Sequence, residues 1–147
     1  MRSERRARRV AGGFTLIEVL VVVLIIGILA AIVGPRVIGK ADDARRTRVV
    51  ADLKSIETAL DLYKLDNGVY PTTEQGLEAL VTKPTVGNIP VNWKEGGYLP
   101  RVPVDPWGQP YAYAYPGTRG EYDLFSLGAD GQPGGEGPNA DIYAGEF

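Results

Sequence analysis

Apolar residues in this chain follow two rhythms, and at its start they run without a break. From Phe14 to Val33 the sequence is FTLIEVLVVVLIIGILAAIV, with Glu18 as its only charge. As a helix rising ~1.5 Å per residue this stretch is about 30 Å long, the thickness of a bilayer's hydrocarbon core. The remaining sequence has too little apolar mass to enclose a helix that is hydrophobic all round, so residues 14–34 are predicted to span a membrane. Gly34-Pro35 ends the run. A helical proline loses one backbone bond and crowds the carbonyl four residues back, which predicts a kink or local unwinding there. Val49, Leu53, Ile56, Leu60 and Tyr63 then recur at steps of four, three, four and three. That is the stripe of an amphipathic helix over 35–68, to be buried against a globular domain. Asp66-Asn67-Gly68 supplies its stop.

Over 69–147 the period changes. Tyr70-Pro71-Thr72-Thr73 reads as a turn opening a short helix, with Thr72 and Gln75 at capping-box spacing and Lys83-Pro84 as its end. Residues 84–110 are rich in proline and glycine and read as loop. Within them Asp105-Pro106-Trp107-Gly108 forms a tight turn whose tryptophan is expected to anchor on the long helix. Tyr111, Tyr113 and Tyr115 alternate with alanine, and Tyr122, Leu124 and Ser126 alternate with Asp123, Phe125 and Leu127. Those are two strands, joined as a hairpin by residues 116–120. No basic residues accompany the tyrosine stripe, so it reads as sheet packing rather than a base-stacking platform. The predicted class is α+β: a long N-terminal helix packed on a small antiparallel sheet.

Composition narrows the chemistry. The chain has neither cysteine nor histidine. A disulfide framework, a thiolate metal site and a histidine general base are therefore all absent, and the chain reads as non-enzymatic. Charge is uneven: residues 1–13 hold five arginines against Glu4, a net of +4, so a chain of net −2 leaves −6 on the remainder. An acidic body argues against nucleic acid as the main partner, because neutralising phosphates takes clustered Lys and Arg.

The order of the leader is informative. A secretory signal peptide would place its small-residue cleavage site after a shorter apolar run. Here Gly12 and Gly13 precede the run, so cleavage would leave the apolar segment on the mature chain. RVAGGFTLIEVLVVVLIIGILAAIV resembles the class III signal of type IV pilins and type II secretion pseudopilins. The resemblance implies cleavage after Gly13 by a prepilin peptidase, a methylated N-terminus at Phe14, and Glu18 as the acidic residue used in assembly. Physically, an ionised carboxylate within a bilayer costs ~2.5–3.5 kcal/mol and marks a functional candidate. The Phe14 amine freed by cleavage, in the same chain or a neighbour, would be its partner, with snorkelling to the interface as the competing reading. Five basic residues flank each side of the span, so charge alone leaves orientation open. The resemblance implies a cytoplasmic leader.

The C-terminal stretch LGADGQPGGEGPNAD (residues 127–141) is glycine-dense and acidic. It lacks the lysine and hydroxyl of a phosphate loop. Hard oxygen donors on a flexible backbone suit calcium, against the competing reading of a solvated loop. YKLDNGVYPTTEQGLEAL, VDPWGQPY and DLFSLGADGQPGGEG…ADI are similar to the major pseudopilins of type II secretion, the general secretion pathway protein G family. That resemblance implies a calcium ion held by carboxylates of Asp130 and Asp141 and carbonyls of Leu127 and Gln132, with Asn139 or Glu136 as additions. It also implies the function: a subunit anchored by a single span in the inner membrane of a Gram-negative bacterium, its C-terminal domain in the periplasm. Such subunits polymerise into a helical homopolymer that helps export folded proteins, working with minor pseudopilins, an inner-membrane secretion platform and, before assembly, membrane lipid. The alternative is a type IV pilus subunit for adhesion, motility or DNA uptake.

Overall fold

The computed structural model describes residues 12–147, the side chains at 36–38 excepted. The arginine-rich part of the leader lies outside the described residues. One helix, α1, runs Leu16–Asn67. It starts where Thr15 and Glu18 satisfy each other's backbone: the Glu18 N–H donates to Thr15 Oγ1 (3.2 Å) and the Thr15 N–H to Glu18 Oε2 (3.4 Å). This reciprocal pair is a capping box. Helix is assigned without interruption through Gly34 and Pro35, so the unwinding anticipated there does not occur. One lost ladder bond is tolerated where the bonds on either side persist.

The chain divides into two compact units, Met1–Lys40 and Ala41–Phe147. In the first, α1 is the one helix among the described residues long and apolar enough to cross a membrane, and none of its apolar window is buried within the chain.

In the second unit α1 presents the predicted stripe. Val49, Leu53, Ile56, Leu60 and Tyr63 are all essentially inaccessible, joined by Ala59. They form one core with Tyr70, Leu77, Ala79, Leu80, Tyr111, Leu124 and Ile142. The helix stops at Gly68, whose φ of +81° is the left-handed geometry of a C-terminal cap and whose N–H bonds the Lys64 carbonyl at 2.7 Å.

Three short strands follow: β1 Ala112–Ala114, β2 Asp123–Ser126 and β3 Ile142–Tyr143. They form an antiparallel sheet in the order β1-β2-β3, with Tyr113 opposite Leu124 and Ser126 opposite Ile142. β3 escapes the sequence pattern because two residues show no period. Hydroxyls tie the sheet and loops to the helix. Tyr111 donates to Asp52 at 2.8 Å, Tyr70 to Asp61 at 3.1 Å and Tyr98 to Asp66 at 2.9 Å, each acceptor standing on α1.

Two expectations change in detail. The short helix is a single 3-10 turn, Leu77–Leu80, and the Thr72–Gln75 box closes the turn before it. The Gln75 amide also donates to the carbonyls of Val86 and Asn88 (2.9 and 3.0 Å), pinning the loop beyond. In the Asp105–Gly108 turn the buried anchor is Asp105, while Trp107 packs half-buried at the margin of the core. A carboxylate wins that place because one Asp105 oxygen accepts the N–H groups of Trp107 and Gln109 and the other accepts the Ser126 hydroxyl. A buried charge is tolerated when its lone pairs are so satisfied.

Candidate functional site

Two regions carry the chemistry, one in each unit. At the N-terminal end Gly12 and Gly13 are exposed and outside any helix, and a side chain at either would meet nothing within 4 Å. Nothing in this chain therefore demands glycine there, so any demand comes from a protein that grips the segment. Phe14 is 84% exposed. With Glu18, Val19, Val22 and Val23 it lines a shallow hollow of about 280 Å³. In the uncleaved chain the Phe14 nitrogen is an uncharged peptide amide, and the Glu18 carboxylate serves as the helix cap. Cleavage after Gly13 would turn that amide into an ammonium four residues from the carboxylate. Thr15 is the residue the sequence reading missed, although its signal, Thr-x-x-Glu ahead of an apolar run, was present.

At the other end lies the glycine-dense loop. Its start is braced from below. Ser126 is fully buried, and its hydroxyl donates to Asp105 while accepting the Gly128 N–H at 3.2 Å. Gly128 has φ of +69°, and a Cβ there would lie 2.8 Å from the Asn139 backbone, so the two limbs approach too closely for any side chain. Ala129 N–H bonds the Pro138 carbonyl (3.0 Å) and Asp141 N–H the Gly134 carbonyl (3.2 Å).

The proposed ligands fall into two local groupings. Asp130 is exposed, and its Oδ1 accepts the Gln132 N–H at 3.0 Å. Asp141 is half-buried, and its Oδ2 accepts the Gly134 N–H at 2.9 Å. Its other oxygen, Oδ1, is buried with no hydrogen-bond partner. A carboxylate oxygen can only accept, so burial without a donor is costly and asks for a cation or water. Glu136 and Asn139 are tied into a turn by the Asn139 N–H to the Glu136 carbonyl (3.2 Å) and are exposed. Among the described residues no group of three or more acidic, histidine or cysteine side chains stands at metal-binding range. A cation here would therefore rely on main-chain carbonyls beside the two aspartates. Calcium accepts such mixed oxygen sets, and the residues fit it.

At the other end of β2, Asp123 shapes the hairpin. Its carboxylate accepts the Thr118 N–H and hydroxyl, both at 2.7 Å, and the Arg119 N–H at 3.0 Å. Those bonds hold its carboxyl below the usual aspartate range.

Comparison with known proteins follows the same division. The family model described as "Type II secretion system (T2SS), protein G" matches residues 36–145, and "Prokaryotic N-terminal methylation motif" matches residues 8–34. The type II secretion system core protein G of Pseudomonas aeruginosa is 58% identical over 135 residues, 92% of this chain and 95% of that protein. Its namesake from Vibrio cholerae is 59% identical over 130 residues, 88% of each. The crystal structure of the major pseudopilin from the type 2 secretion system of enterohaemorrhagic Escherichia coli superposes with a TM-score of 0.65 at 49% identity, covering 72% of this chain and 90% of that one.

Proposed function

This chain belongs to the type II secretion system protein G family, a subunit of the pseudopilus, and from that premise we propose how its parts act. The observation that carries the reading is the apolar half of α1, of which nothing is buried within its own chain. Such a surface is stable only in lipid or against other helices of its kind. The chain would sit in the inner membrane as a single span, with Ala41–Phe147 in the periplasm. A prepilin peptidase would cut between Gly13 and Phe14 and methylate the new terminus. Glu18, released from purely capping Thr15, would then meet a Phe14 ammonium during assembly. Opposite charges in so dry a setting attract strongly, and either one alone is costly. Minor pseudopilins and the inner-membrane platform are the expected partners in that step, and none of it calls on a catalytic centre of the chain's own.

In the periplasmic unit Asp130 and Asp141, with the carbonyls of Leu127 and Gln132, would hold calcium. The ion would supply the positive charge that lets two carboxylates close the loop. Ser126, Asp105 and the close-packed Gly128 position the loop's limbs for that closure.

A type IV pilus role is not favoured, because residues 36–145 match protein G itself. Deleting the gene and complementing it tests the function. Exoproteins should be lost from the medium and restored by the wild-type chain, whereas lost twitching or DNA uptake with normal secretion would overturn the assignment.

A further inference from the structure

Apart from Val104 and Phe147, the exposed large apolar residues of the periplasmic unit fall in two stretches of the chain. On α1, Leu62 and Leu65 are 43% and 79% exposed, and Val69, just past the helix, is 40% exposed. A step of three places Leu62 and Leu65 on one side of the helix, and Val69 follows just beyond its Gly68 cap. The helical pair faces away from the Val49–Tyr63 core stripe. The second stretch is the loop after the 3-10 turn, where Val86, Ile89 and Val91 are 46%, 53% and 90% exposed. This loop is held in shape from beneath by the Gln75 amide on Val86 and Asn88, and by the Trp93 indole on the Ala79 carbonyl (2.8 Å). Both patches are therefore built surfaces rather than stray side chains. Rigid apolar groups left in water favour burial against a partner.

Their rims carry opposite charge. Asp61 and Asp66 flank the helix patch, and each accepts only a neutral tyrosine hydroxyl among the contacts described above. Lys64 between them is already neutralised by Glu121 at 2.8 Å. Lys83 and Lys94 bracket the loop patch, both are exposed, and neither is in an ion pair among the described residues. No acidic residue lies between those two lysines.

We propose that these patches are the two halves of one contact between copies: the Leu62–Leu65–Val69 patch of one subunit receives the Val86–Ile89–Val91 loop of the next, with Lys83 and Lys94 facing Asp61 and Asp66. Two different surfaces that fit each other make a heterologous contact, which leaves a free half at each end and propagates into a filament. The inference rests on the pseudopilus role and specifies where its periplasmic domains touch.

The absence of cysteine makes a direct test possible. The full chain carrying Leu65→Cys and Val91→Cys together is expressed with the complete secretion apparatus, and assembled filaments are treated with an oxidant or a short bismaleimide. The double variant should give a ladder of covalent dimers, trimers and higher species, while either single variant stays monomeric. Filaments and secretion from the double variant without a ladder would overturn the contact. So would a dimer from Leu65→Cys alone, since the patch would then be meeting itself. Lys83→Glu with Lys94→Glu provides an independent arm: filaments should be lost while the subunit's thermal melt is unchanged, and normal filaments would also overturn it. Absence of filaments and secretion dependence in the wild type would instead count against the pseudopilus role.

Discussion

The proposed assembly role gives Glu18 a second task beside capping, and a single substitution can separate the two. In the uncleaved chain it caps α1 through the Thr15 N–H, a task that needs an acceptor and no charge. Pairing with an ammonium needs the charge. Glu18→Gln should therefore start the helix and insert in the membrane as wild type does, yet yield no filaments. Glu18→Ala should lose the cap as well. Membrane fractionation and sheared-filament yield measure both, and wild-type filaments from Glu18→Gln would remove the charge from the mechanism. Asp123 gives a second residue-scale expectation. Its folded pKa lies below the unfolded value of about 3.9 because three donors favour the carboxylate. A depressed carboxylate pKa contributes stability that is present above the unfolded pKa and lost as pH falls through the folded one. Acid unfolding of the periplasmic unit below about pH 4 should thus be shallower in Asp123→Asn than in wild type, as a pH series of thermal melts would reveal. Of these residues, Gly13, Phe14 and Glu18 stand out in the sequence as candidates because they sit at the junction of two compositions. Asp123 does not, since its donors come from a loop whose path no spacing predicts.

At the scale of elements, α1 joins two environments, and burial distinguishes its faces. Leu53 is inaccessible, and Leu53→Ala should cost about 2–5 kcal/mol through lost contacts and a cavity. Leu65→Ala, on the uncovered patch, should change the same unit's stability by no more than about 0.5 kcal/mol. Urea unfolding of the Ala41–Phe147 unit compares them, and equal losses would mean that Leu65 is covered within its own chain. The helix was readable because its apolar steps persist over many turns. The strands were readable only where alternation lasted, at Tyr111–Tyr115 and Tyr122–Leu127. β3 was invisible, because two residues pair by what lies beside them rather than by any period of their own.

For the whole molecule, the loop and the core share one fate. A ligand that binds only the folded state adds RT ln(1 + [L]/Kd), about 2.7 kcal/mol at a hundredfold excess over Kd. The periplasmic unit should melt higher in millimolar calcium than with chelator. Magnesium should substitute poorly, since it resists dehydration and demands a tight octahedron. Asp141→Asn should erase the calcium difference, because it alters the one carboxylate oxygen among the described residues that is buried without a partner. A wild-type melting temperature indifferent to calcium would leave Asp141 Oδ1 to a bound water and the loop without its metal.

The sequence by itself determined the features that persist over many near neighbours along the chain. The membrane-length run, the Gly-Phe junction, the α1 stripe, the hairpin and the acidic loop are all matters of composition or period, which local backbone geometry converts directly into structure. Tertiary structure alone decided which polar groups distant in sequence meet. It set Ser126 against Asp105, Tyr111 against Asp52, Tyr98 against Asp66, and left Asp141 Oδ1 unpaired and the Leu62–Val69 patch uncovered. The physical reason is that a side-chain hydrogen bond needs its atoms within about 3 Å, a condition that packing satisfies between residues dozens of positions apart and that no sequence interval encodes.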